Sequence, residues 1–82
     1  MDTKEIFNSV VKIITPYARN KEALDNVSDE TTILNDLDVN SSRLVDVVLA
    51  MEDEFEIEIS DEEVDNVSTI GKAVSMINEK MS

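Results

Sequence analysis

Apolar residues in the opening stretch "DTKEIFNSVVKIIT" recur at spacings of three and four. Ile6, Phe7, Val10, Val11 and Ile14, extended by Tyr17, line one face of a 3.6-residue period. The pattern predicts an amphipathic helix. Asp2 with Glu5 three residues later resembles a capping box at its start. Pro16 lacks an amide proton and disfavours helix in the residue before it, so the helix should end or bend near Thr15.

No period is sustained over "YARNKEALDNVSDETTILNDLDVN", positions 17 to 40. "KEALDN" has the makings of one helical turn, and Ile33, Leu34, Leu37 and Val39 are expected to anchor this long connection to a core. A connection of this length is unusual in a small domain and counts either against the assignment of elements there or in favour of a functional loop. Helical periodicity returns in "SSRLVDVVLAMEDEFE", with Asn40 or Ser41 as its cap. "SDEEV" at 60 to 64 predicts a short third helix, with Ser60 as N-cap and Glu63 as the reciprocal partner. "STIGKAVSMINEKM" predicts a fourth, capped by Ser68, with Ile70, Ala73, Val74, Ile77 and Met81 buried. Gly71 lies inside it at a cost of about 1 kcal/mol relative to Ala, and the local sequence offers no reason for it. The expected fold is all-α: a small four-helix bundle of three main helices and one short one, with a long loop between helices 1 and 2.

The second helix repays an angular reading at about 100° per residue. With Ser41 at zero, Leu44, Val47, Val48, Met51 and Phe55 fall on one side and form a core face. Glu52, Glu56, Asp53 and Asp46 sweep through about 140° on the other side. Val45 and Leu49 sit among them, one helical turn apart. Two readings fit: a solvated acidic face, or a docking patch that steers a basic partner and seats it on Val45 and Leu49. Ser41 lies where that face meets the core, at a helix start whose outward N–H groups favour an anion such as phosphate.

Composition narrows the chemistry. The chain has 82 residues, enough for one small domain, and its 4% aromatic content leaves a core of Val, Ile, Leu and Met. One Gly and one Pro argue against an all-β chain. Without Cys or His there is no disulfide, no thiolate, no Cys-based zinc site and no hydrolytic triad or zincin. The net charge is −12, and it is local: positions 36 to 65 hold twelve acids and one base, Arg43. Nucleic acid and anionic membrane are poor partners for such a surface; basic protein surfaces are good ones. No stretch suits a membrane span, and "MDTKEIFNSV" lacks the pattern of a signal peptide, so a cytoplasmic location is expected.

Two motifs compete for the region of the paired serines. "DLDVNSSRLVDV" begins D-x-D-x-N as a calcium loop does, but Ser41 replaces the turn glycine, Arg43 adds a cation and Val47 replaces the bidentate glutamate. No site-specific metal is expected there. "NVS" at 26 and 66 and "NSS" at 40 match the glycosylation pattern and are taken as chance matches in the absence of a signal peptide.

The segments "LNDL", "NSS", "MEDEF", "EIEI", "SDEEV" and "VSTIGKAV" together resemble the acyl carrier protein family of phosphopantetheine-carrying domains. The resemblance covers most of the chain, 1–82 being read as a single domain, and is strongest over 33 to 77. Aligned without gaps on "MEDEF", the family's attachment serine falls on Ser41. Asn40 stands where the family has Asp, Ser42 where it has Leu, and Arg43 where many members have an acid. The resemblance implies a carrier with no catalytic residues of its own. A phosphopantetheinyl transferase would attach the 4'-phosphopantetheine arm to Ser41 from coenzyme A with Mg²⁺. The arm's thiol would carry acyl groups as thioesters, sheltered between helices, for fatty acid, lipid or polyketide enzymes. By position, Val45, Asp46, Leu49, Glu52, Asp53, Ile59 and Asp61 match the family's docking residues for acyl-processing enzymes with basic patches. A monomer without stable membrane insertion is expected. The alternative is an unmodified carrier-like interaction module or scaffold subunit.

Overall fold

The computed structural model describes residues 2–64 and 67–81. Four α-helices follow in order: α1 (Thr3–Ile14), α2 (Ser41–Phe55), α3 (Asp61–Val64) and α4 (Ile70–Met81). Short 3₁₀ turns at Thr15–Tyr17 and Ala23–Asn26 punctuate the long connection. No strand occurs among the described residues, and the bundle is the one expected. None of its described helices is long and apolar enough to cross a membrane. The "NVS" at 66 begins outside the described residues.

Each boundary has a local cause. At the start of α1 the Asp2 carboxylate accepts the Glu5 amide proton at 2.9 Å, satisfying one of the orphan donors of the first turn. Pro16 enters at the head of the first 3₁₀ turn, where its missing N–H costs nothing, and α1 stops at Ile14. The Lys21 ammonium then donates to the Thr15 carbonyl at 2.8 Å, a cation at the negative end of the helix. α2 closes with Glu56 in the left-handed region at φ 54°, while the Glu56 amide and the Ile57 amide both donate to the Glu52 carbonyl.

The core is a continuous apolar cluster. Ile6, Val10 and Ile14 of α1 meet Val47, Val48, Met51 and Phe55 of α2 and Ile70, Ala73, Val74 and Ile77 of α4. α1 packs chiefly along α4 and secondarily on α2. Ile33, Leu37 and Val39 bring the long connection into this cluster as expected. Leu34 differs, being 37% exposed. The turn closed by the Leu37 amide on the Thr32 carbonyl sends Ile33 and Leu37 inward and leaves Leu34 outside.

α4 departs from expectation twice. Thr69, not Ser68, caps it: its hydroxyl accepts the Lys72 amide proton at 3.1 Å. Ser68 contributes its carbonyl instead, which accepts the Ile33 amide proton. Met81 shares the angle of the buried stripe but lies in the last turn and is 40% exposed, whereas Met76 is buried.

Gly71 finds its explanation in the loop. The Gly71 amide donates to the Asp29 carbonyl at 2.9 Å, and a β-carbon at 71 would stand 2.8 Å from both that oxygen and the Asp29 β-carbon. Backbone meets backbone there, so no flexible side chain can give way. Two effects oppose in Gly71→Ala. Helix propensity favours Ala by about 1 kcal/mol, while overpacking costs about 1–3 kcal/mol. Gly71→Ala is expected to lower the unfolding free energy by about 1 kcal/mol, and at most about 2, in urea titration; a stabilised variant would show that the loop yields freely.

Candidate functional site

The long connection delivers the chain to the start of α2 through a set of short-range bonds. The Thr32 amide donates to the Asp36 carboxylate and the Asp36 amide donates to the Thr32 hydroxyl, both at 2.9 Å. The Asn20 side-chain amide donates to the Asp36 carbonyl, and the Asn20 and Arg19 backbone amides donate to the carbonyls of Leu37 and Asp38. Asp38 takes the left-handed conformation at φ 53°, which Asp tolerates better than most residues. Val39 then drops into the core and Asn40 emerges extended, ready to cap.

The two serines are chemically distinct. Asn40 Oδ1 accepts from the Ser42 backbone amide at 3.0 Å and from the Ser42 hydroxyl at 2.9 Å. Of the two cap residues open on sequence grounds, Asn40 fills the role and Ser41 is the first helical residue. Ser42 lies with Asn40, Arg43, Arg19 and Tyr17 along an open depression of about 810 Å³. Ser41, roughly 100° away around the helix, is exposed, and its hydroxyl has no protein partner among the described residues. The first turn of α2 contains no acid, in a chain of net charge −12. The positive end of this helix is therefore not already neutralised by a side chain.

The residues expected to dock partners divide into groups. Val45 and Leu49 are 59% and 56% exposed, side by side on α2. Asp53, one turn after Leu49 on α2, and Asp61, the first residue of α3, are exposed. Asp46 shares its charge with Arg43 through an exposed ion pair at 3.2 Å; such pairs contribute about 0–1 kcal/mol, so the main effect is local charge cancellation. Glu52 is half-buried, and its carboxylate accepts the Ile59 amide proton at 3.0 Å. Ile59 itself is buried, 8% exposed, and belongs to the core. Glu52 and Ile59 thus shape the link from α2 to α3 rather than present much surface. No local period announces the Glu52–Ile59 bond, because its partners are seven residues apart across a helix end. The Thr32–Asp36 exchange has a faint signal, two polar residues four apart around "ILN".

α3 is held from both sides. The expected capping box forms: the Ser60 amide donates to Glu63 and the Glu63 amide to the Ser60 hydroxyl. Lys80 of α4 grips the same carboxylate at 2.8 and 2.9 Å. The Lys80 hydrogen bond, helped by the Ser60 backbone amide, holds the Glu63 pKa below the ordinary carboxylate value.

Comparison with known proteins gives the class. The model of the phosphopantetheine attachment site family matches residues 18–77. An acyl carrier protein of Lactobacillus acidophilus is 42% identical over 78 residues, covering 94% of each chain. Another, from Picosynechococcus, is 39% identical over 77 residues, covering 94% of this chain and 93% of that one. The solved structure of the acyl carrier protein from Enterococcus faecalis superposes with a TM-score of 0.80 at 36% identity, covering 98% of this chain and 99% of that one. The chain belongs to the acyl carrier protein family, whose members carry acyl groups on covalently bound 4'-phosphopantetheine and do not themselves catalyse. The start of α2 fits a phosphate-linked group: an exposed hydroxyl, a helix N-terminus and no carboxylate in the first turn.

A depressed folded pKa means that Glu63 stabilises the fold fully above its unfolded pKa, and that this contribution is lost as pH falls through the folded pKa. Gln retains the capping acceptor but not the charge. Glu63→Gln should melt lower than the parent at pH 7, and the gap should close as pH drops below about 4. A gap independent of pH would assign the effect to shape rather than charge.

Proposed function

We propose that Ser41 is the attachment residue for 4'-phosphopantetheine and that α2 presents the docking surface for the enzymes that load and use the arm. The reading rests on one observation above all: of two adjacent serines, only Ser41 has a hydroxyl free of the cap. In the loading step the Ser41 hydroxyl oxygen attacks the phosphorus of coenzyme A that bears the pantetheine. A phosphoester bond to Oγ forms, the bond to the nucleotide breaks, and adenosine 3',5'-bisphosphate leaves. The serine proton passes to a base on the phosphopantetheinyl transferase, and the transferase's Mg²⁺ neutralises the pyrophosphate. The arm supplies the thiol that this Cys-free chain lacks, and acyl groups ride on it as thioesters.

Val45 and Leu49 form the apolar centre of the proposed docking patch, and Asp53 and Asp61 its acidic rim. Partners with basic patches, the transferase and acyl-processing enzymes among them, suit it. Asp46 contributes less field than its neighbours because Arg43 cancels it. A cytoplasmic location fits the partners and coenzyme A.

Two experiments test this. Incubated with a broad-specificity transferase, coenzyme A and Mg²⁺, the parent and Ser42→Ala should each gain one arm by intact mass, and Ser41→Ala none. No gain with several competent transferases would instead favour an unmodified scaffold. Leu49→Ala should weaken transferase binding roughly ten- to a hundredfold, since burying such a side chain contributes about 1.5–3 kcal/mol. Asp53→Lys should reduce it further at low salt than at high salt. Helicity by circular dichroism should be unchanged in both; undiminished binding would leave this face as solvated surface only. Glu52 is a poor choice for the docking test, because its replacement also frees the buried Ile59 amide.

A further inference from the structure

The Asn40–Ser42 pairing has a directional consequence. Both groups that reach Asn40 Oδ1 are donors: a backbone N–H, which has no other role, and a hydroxyl. The atom facing them must therefore be the amide oxygen, which fixes the orientation of the whole carboxamide. Its Nδ2 carries two N–H donors that have no protein acceptor among the described residues, on an exposed side chain. Ser42 is what makes this orientation secure, since its hydroxyl adds a second bond to the one that a cap makes with the backbone alone.

We infer that Asn40, oriented by Ser42, is a positioning residue that donates a hydrogen bond from Nδ2 to a non-bridging oxygen of the phosphodiester on Ser41. This inference rests on the proposal that Ser41 carries the arm. Three features support it. Asn40 is the residue immediately before Ser41, at the same exposed helix end. A carboxylate at position 40 could cap the helix equally well but would offer the phosphodiester only repulsion and no donor. The nearest cation on α2, Arg43, lies roughly 200° around the helix from Ser41 and is paired with Asp46, and Asp38 is an anion. The arm's first rotatable bonds are thereby restrained at the protein surface, and the direction in which it leaves α2 is set by a neutral donor.

The test uses the isotopically labelled full chain, loaded with coenzyme A by a broad-specificity transferase and compared with the unloaded chain. Intact mass is read first. If no arm is gained, the attachment reading falls and this inference with it. With the arm present, one Asn40 Nδ2 proton should move downfield and exchange with water several-fold more slowly than in the unloaded chain. The phosphodiester ³¹P resonance should shift in Asn40→Asp, which keeps the helix cap and removes the donors. Ser42→Ala should give a smaller shift in the same direction, and Ser42→Thr, which keeps the hydroxyl, should restore the parent position. A loaded chain whose Asn40 side-chain resonances match the unloaded ones, or whose ³¹P resonance is the same in Asn40→Asp, overturns this inference and leaves the attachment reading standing.

Discussion

Three backbone amides bind the long connection to the beginning of α4: Ile33 to the Ser68 carbonyl, Ile70 to Thr31 and Gly71 to Asp29. They are main-chain bonds between segments some forty residues apart in sequence, and they require an approach that only glycine at 71 permits. Most of the local order at the site descends from this junction. With residues 29–33 fixed, Thr32 is placed to exchange bonds with Asp36, Ile33 and Leu37 enter the core, and Asp38 to Asn40 are led out at one angle. The serine that follows inherits its position from that chain of constraints. An irregular segment of this length would otherwise leave many backbone groups unpaired; here several of them are paired within the segment or with the start of α4.

The helices were legible because their signals are local. Apolar spacing, the Asp2 cap, the Ser60–Glu63 box and the stop at Pro16 all operate within one or two turns and appear where the sequence puts them, although Asp2 and Glu5 make only the cap's half of a box. What escaped was non-local. Gly71 looked like a defect in α4 until Asp29 was found against it, and Leu34 looked like an anchor because apolar character alone does not say which side of a turn faces inward. Met81 has the right angle for burial but the wrong position along the axis. The bundle and its long loop followed from apolar periodicity, and the solved relative has the same fold.

At the site the division is similar. The angular reading correctly separated the core face of α2 from an acidic face carrying exposed Val45 and Leu49. It could not see that Glu52 reaches around the helix end to the Ile59 amide, or that Ile59 is buried, because those facts depend on how the chain returns after Glu56. Asn40 and Ser42, taken separately, read as two departures from a family pattern. In three dimensions they are one feature, a shared hydrogen-bonded cap.

The clasp of Lys80 on Glu63 separates two regimes of cohesion in one small protein. A four-residue helix has no propagation to sustain it, so α3 is a braced turn held by side chains, whereas α1, α2 and α4 are held by buried apolar surface. Apolar contact is little affected by modest salt, while a partly exposed ion pair is screened by it. The flank of the molecule formed by α3 thus loosens as ionic strength rises, whereas the packing of the other three helices depends on shape. Ionic strength therefore acts on the two parts through different terms, weakening an attraction at α3 and relieving repulsion among the acids of α2.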